Sequence, residues 1–158
     1  MPSTPICRPT LEPGWIDYNG HLRDGYYAVI LSAAIDELMD RLGIDAAYRK
    51  RTGNTLYTLE MHLRFLREVK LGEELVVAVR ILDADRKRIH AGLELLTGGR
   101  DEPAAAAEFM LLHVHQGESV GAAPFPPEVE SAIADWRARS ASDAPFALGS
   151  RRMGLRGG

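Results

Sequence analysis

Hydrophobic and polar positions change period once along the chain, dividing it into a helical part and a sheet part. Over residues 24–42, Tyr26, Tyr27, Ile30, Ala33, Ala34, Leu38 and Leu42 recur at steps of three and four, with Asp36, Glu37, Asp40 and Arg41 mostly elsewhere. This spacing predicts a long helix that is apolar over a wide arc, and so built for burial rather than surface docking. Asp24 is a candidate N-cap, and Gly43 stands where a helix stop is expected. The period then drops to two. Tyr57, Leu59, Met61, Leu63 and Phe65 alternate with Thr58, Glu60, His62 and Arg64, which predicts a long strand with one apolar face. Further strands are expected at 74–82, 88–97 and 104–115, with turns at 83–85 and 97–101 that suit an antiparallel meander.

The flanking segments are less regular. Residues 4–12 carry prolines at positions 5 and 9 and suit an edge strand, and 44–53 read as a short helical or irregular connection. Residues 117–127 read as a loop, 128–139 as a terminal helix, and about 145–158 as a polar, glycine-rich, mobile tail. One edge strand, one long helix and four successive strands make an α+β layout in which an antiparallel sheet curls around the helix.

Bulk properties narrow this picture. A chain of 158 residues has room for one domain, and its 46% hydrophobic content, 26% charged content and net charge of -3 are ordinary for a globular protein. Nothing in that balance points to nucleic acid. With no apolar run long enough to span a bilayer and no leader pattern, the expectation is a cytoplasmic protein without a membrane partner. The single cysteine, Cys7, excludes an internal disulfide and reads as an inert hydrophobe.

Candidate chemistry gathers just before the long helix. The run Trp15-Ile16-Asp17-Tyr18-Asn19-Gly20-His21 places a carboxylate, an imidazole and a potential Asn19-Gly20 turn in a loop that opens onto a helix start, where backbone amides lack partners. The same Asp17 also suits a turn residue that bonds nearby amides.

The layout and that run together resemble the hot-dog fold acyl-CoA thioesterases of the 4-hydroxybenzoyl-CoA thioesterase type, over roughly residues 5–116. The helix and the run Phe65-Leu66-Arg67-Glu68-Val69-Lys70-Leu71-Gly72-Glu73-Glu74-Leu75 strengthen the likeness. Within that family, the loop combined with Gly53-Asn54-Thr55-Leu56-Tyr57-Thr58-Leu59-Glu60 is most similar to the betainyl-CoA thioesterases associated with carnitine breakdown. Two positions depart from the usual family pattern: Arg23-Asp24 stands where many relatives carry two asparagines, and Glu68 where a proline is common.

The resemblance implies a substrate that is a thioester of coenzyme A, with no metal and no organic cofactor. It also implies a homodimer with sheets joined edge to edge and active sites at the interface, and leaves room for a tetramer. Asp17 takes the position of the catalytic carboxylate, as nucleophile or general base. Amides of Asp24, Gly25 and Tyr26 at the positive end of the helix are candidates to hold the oxyanion. His21 is expected to orient Asp17, bond the thioester or assist proton transfer, or else simply to tie the loop to the helix. Asn19 orients the loop or a water, or is only a turn residue.

A trimethylammonium group is best held over aromatic faces, each worth about 0.5 to 2 kcal/mol. Trp15, Tyr18, Tyr26, Tyr27 and Tyr57 fall in segments expected near the acyl pocket, with Glu60 as a counter-charge; packing is the competing role for Tyr26, Tyr27 and Tyr57. His113 and His115 share one strand face, but no third metal ligand stands at fixed spacing. The basic run Arg49-Lys50-Arg51 and the tail arginines Arg151, Arg152 and Arg156 are either contacts for coenzyme A phosphates or merely solvated. A hot-dog hydratase and a catalytically silent acyl-CoA-binding module are the rival functions.

Overall fold

The computed structural model describes residues 4–141 and Phe146. Except for that phenylalanine, the expected mobile tail lies outside the described residues.

The long helix, α1 (Asp24–Arg41), forms as its periodicity predicts, but its buried stripe is shifted. Leu31, Ile35 and Met39 join Tyr27, Ile30, Ala34 and Leu38 inside, while Ala33 is exposed. The N-cap is Arg23 and not Asp24, with no side-chain capping bond, so Asp24 supplies negative charge to the first turn instead. A second helix, α2 (Ala46–Thr52), is capped by Asp45, whose carboxylate accepts the Tyr48 amide at 2.8 Å.

Around α1 runs one sheet of six strands. These are β1 (Thr4–Cys7), β2 (Asn54–Phe65), β3 (Leu75–Ala84), β4 (Arg88–Thr97), β5 (Ala105–Gln116) and β6 (Val120–Ala122), in the spatial order β1-β3-β4-β5-β2 with β6 beside β5. All the pairings are antiparallel. The short β6 falls in the segment read as loop, because three residues leave no periodic signal. The terminal helix, α3 (Pro127–Arg139), lies where its pattern predicts and packs on β3.

Strand parity separates two faces. Val77, Val79 and Ile81 of β3, Leu93 and Leu95 of β4, and Ala107, Phe109 and Leu111 of β5 are buried with the apolar side of α1 in one core. The opposite face carries Arg80, His90, Glu94 and Glu108, with His90 Nε2 and Glu108 Oε1 2.8 Å apart. Gly92 lies on this outer face, and its missing side chain makes room for Phe146: a Cβ there would come within 2.8 Å of the ring. The Arg80 guanidinium stands 5.9 Å from the centre of the same ring.

β2 is an edge strand and does not keep the simple alternation expected of it. Its register against β5 shifts between Thr58 and Glu60, a bulge that reverses parity from there on. Met61, Leu63 and Phe65 pair with Phe109, Ala107 and Ala105 on the helix side, whereas Tyr57 pairs with Leu112 on the outer side. Much of this apolar surface is uncovered in one chain: Leu59 is 55% exposed, Phe65 54% and Met61 41%.

Among the described residues, no helix is long and apolar enough to cross a membrane.

Candidate active site at the mouth of the long helix

The loop before α1 is built by its own backbone. After a short 3-10 turn (Pro13–Trp15), Ile16 and Leu22 form an antiparallel bridge, and the chain between them folds back in a tight turn. Gly20 donates its amide to the Asp17 carbonyl at 3.0 Å, and Asp17 donates its own to the His21 carbonyl at 2.8 Å. Gly20 sits at φ +80°, where an L side chain is strained by roughly 1–2 kcal/mol. The turn therefore closes one residue earlier than an Asn19-Gly20 corner, with Tyr18 and Asn19 at its tip.

Asp17 is half-buried, and its Oδ1 accepts the amides of Asn19 at 2.8 Å and His21 at 3.2 Å. Asp17 thus does what a turn aspartate does. Its second oxygen, Oδ2, makes no hydrogen bond among the described residues, so one carboxylate oxygen holds the loop while the other remains available. Asn19 contributes its backbone to this turn and is exposed.

His21 is fixed from outside the loop. Its Nε2 lies 3.0 Å from Glu68 Oε2, and the next residue, Leu22, donates to the Val69 carbonyl at 2.8 Å. Glu68 belongs to the site by contact; the sequence marks it only as a departure from the family pattern, since the two residues meet only after the chain has completed α1, α2 and β2.

The amides at the helix mouth are partly taken. Tyr26 donates to the Arg23 carbonyl at 3.0 Å, and Gly25 donates to the Asp24 carboxylate at 2.8 Å. An oxyanion using the Gly25 amide must displace that carboxylate.

The aromatic residues divide between distinct places. Trp15 stacks on Tyr26, with ring centres 5.3 Å apart and planes 13° from parallel, and both pack at the edge of the core. Tyr18 stands at the turn tip, 94% exposed. Tyr27 is buried and meets Phe65 edge-on at 5.1 Å; burial pushes its phenol pKa up, so it stays protonated and acts as packing. Tyr57 faces the outer side of the sheet and accepts a hydrogen bond from Gln116 at 2.8 Å. Glu60 pairs with Met110, also on the outer side, so within one chain it does not share the helix side with Trp15. Of the five aromatic residues expected near the acyl pocket, Trp15 and Tyr26 form a stacked cluster at the helix mouth.

His113 and His115 have separate partners. His113 is fully buried, its Nδ1 2.9 Å from the Ala123 carbonyl and its Nε2 2.9 Å from the Tyr48 hydroxyl. A carbonyl only accepts, so Nδ1 carries the proton and, in the neutral ring, Nε2 accepts from Tyr48. Both nitrogens are thereby committed, and His115 pairs with Asn54. Of the basic run, Arg49 donates to the Ile44 carbonyl at 2.8 Å and Arg51 lies 5.6 Å from the Tyr48 ring centre. The tail arginines Arg151, Arg152 and Arg156 are outside the described residues. Cys7 is half-buried, and burial, with a further contribution from Glu37, pushes its thiol pKa up, away from nucleophilic use.

A curved antiparallel sheet around one long helix, with a carboxylate loop at that helix's mouth, is the hot-dog architecture of thioesterases. The chain belongs to the thioesterase-like superfamily, whose family model matches residues 11–133, and is a thioester hydrolase. It is 45% identical over 117 residues to a betainyl-CoA thioesterase of Pseudomonas aeruginosa, covering 74% of this chain and 73% of that protein. It is 38% identical over 137 residues to an L-carnitine dehydrogenase/betainyl-CoA thioesterase of Agrobacterium fabrum, covering 87% of this chain but 28% of that longer protein. Among solved structures, a Pseudomonas putida KT2440 protein described as a candidate thioesterase superimposes with a TM-score of 0.85 at 39% identity, over 99% of both chains. A Staphylococcus aureus protein solved in complex with CoA superimposes with a TM-score of 0.86 at 26% identity, over 98% of both.

Proposed function

We propose that this chain hydrolyses betainyl-CoA to betaine and coenzyme A. The observation that carries the proposal is the Asp17 carboxylate loop beside the stacked Trp15–Tyr26 pair, in a chain 45% identical to a betainyl-CoA thioesterase. A quaternary ammonium offers no N–H donor and is recognised by aromatic faces, which that pair supplies at the helix mouth.

Asp17 works through Oδ2, as nucleophile or as general base. As base it takes a proton from water while the water oxygen bonds to the thioester carbon; the carbon–sulfur bond then breaks, and the thiolate leaves and takes up a proton. Negative charge on the carbonyl oxygen is met by the first-turn amides of α1 once Asp24 gives way at Gly25. His21 orients this loop and serves proton transfer. Coenzyme A enters as part of the substrate, and the reaction draws on no cofactor.

The working unit in this reading is a homodimer joined along β2. That edge has unpaired backbone groups and exposed Leu59, Met61 and Phe65, a combination that calls for a partner strand. The dimer brings the Tyr57 and Glu60 edge of one chain toward the helix mouth of the other. The compartment is the cytoplasm.

Free-thiol release from betainyl-CoA, from its uncharged carbon isostere 3,3-dimethylbutyryl-CoA and from acetyl-CoA tests the reading. Preference for betainyl-CoA by about tenfold or more in kcat/KM is expected, since one or two aromatic contacts are worth that much. Equal efficiency on the two isosteres overturns the cationic specificity, and binding without thiol release overturns the enzyme.

A further inference from the structure

We infer that Glu68 is a positioning residue for His21, deciding which nitrogen of that imidazole carries the proton; the catalytic part of this inference rests on the reaction proposed above. The backbone sets the two residues side by side. His21 and Lys70 form an antiparallel bridge, and in such a bridge the residue two before the partner is a diagonal neighbour on the same face. Glu68 stands at that diagonal, and its Oε2 reaches to 3.0 Å from His21 Nε2.

His21 is therefore held at three points. Its carbonyl and amide are both bonded to Asp17, at 2.8 and 3.2 Å, and Glu68 Oε2 stands 3.0 Å from its ring Nε2. The outcome follows from the chemistry of the partners. A carboxylate accepts and does not donate, so Nε2 carries hydrogen and, in the neutral ring, the lone pair lies on Nδ1. With Glu68 in place, Nδ1 is the nitrogen that takes or returns a proton. Without it, both tautomers are open to the ring, and only part of the population presents a base from the right side. The side chains are 28% and 63% exposed, so water competes with the contact and the effect is graded rather than absolute.

The test pairs ¹⁵N-resolved NMR of the His21 ring with thiol release from betainyl-CoA, in the full-length wild type and in Glu68→Ala. The wild-type ring is expected as the Nε2–H tautomer. In Glu68→Ala the ring should become a tautomer mixture, with kcat lower by about tenfold and KM within about twofold, as when a group orienting a catalytic side chain is lost. An unchanged ring in Glu68→Ala overturns the inference, as does a changed ring with unchanged kcat. Wild-type turnover of betainyl-CoA judges the proposed function separately, and the ring signature does not depend on it.

Discussion

Asp17 and His21 are joined twice, once from backbone to backbone and once through the Asp17 carboxylate: the Asp17 amide donates to the His21 carbonyl at 2.8 Å, and the His21 amide donates to Asp17 Oδ1 at 3.2 Å. One carboxylate is therefore both a structural part of its loop and, through its other oxygen, the group available for chemistry. Two substitutions separate these roles. Asp17→Asn keeps an oxygen at the Oδ1 position for both amides, whereas Asp17→Ala removes it. Thermal or urea unfolding should show Asp17→Ala destabilised by about 1–2 kcal/mol and Asp17→Asn by much less. Equal destabilisation would mean that the Asp17 side chain does not hold the turn.

The β2 edge predicts an assembly. Met61 faces the helix side at the rim of the sheet and is 41% exposed in one chain, so replacing it barely touches the core. Met61→Glu should shift the protein from dimer to monomer in light scattering while leaving its circular dichroism intact, because a charge then stands where about 1.5–3 kcal/mol of apolar burial is expected. A Met61→Glu dimer as tight as wild type would exclude this edge as the interface.

The buried pair Tyr48–His113 predicts a stability change remote from the site. Tyr48→Phe leaves His113 Nε2 without its hydroxyl partner in a fully buried position. The cost should be about 1–3 kcal/mol in unfolding free energy, with kcat unchanged.

Acid stability reads out the turn between β3 and β4. Asp85 accepts the Lys87 and Arg88 amides at 2.9 and 2.7 Å and the Arg88 guanidinium at 2.8 and 2.6 Å. The Arg88 side-chain bond is the main cause that lowers its pKa from 3.8 to about 2. A carboxyl whose pKa is lower folded than unfolded stabilises above the unfolded value and loses that contribution as pH falls toward the folded one. Wild type should therefore lose stability relative to Asp85→Asn as pH drops from 4 toward 2, as followed by unfolding at each pH. A constant difference across that range would contradict it.

Much of the fold is legible in the sequence because period is a local property. The 3.6-residue spacing of α1 survives folding with its buried stripe shifted, β3, β4 and β5 form within two residues of their expected bounds, and the antiparallel sheet follows from the short turns between them. What local pattern misses is set by distant partners. The β2 bulge is visible only against β5, and it puts Tyr57 on the outer face despite its even spacing with Met61, which faces the helix. The Asp17 loop is recognisable from its own residues, but Glu68 joins it only because the segment before Lys70 lies beside His21. Phe146 and Gly92 likewise meet across the fold, without any signal in either neighbourhood.

The most direct test of the account is thiol release from betainyl-CoA by wild type and Asp17→Asn under identical conditions. With the turn preserved and only the reactive oxygen's charge removed, turnover by Asp17→Asn should fall by at least about a hundredfold while the wild type releases coenzyme A rapidly. Turnover within a few-fold of wild type in Asp17→Asn would contradict it.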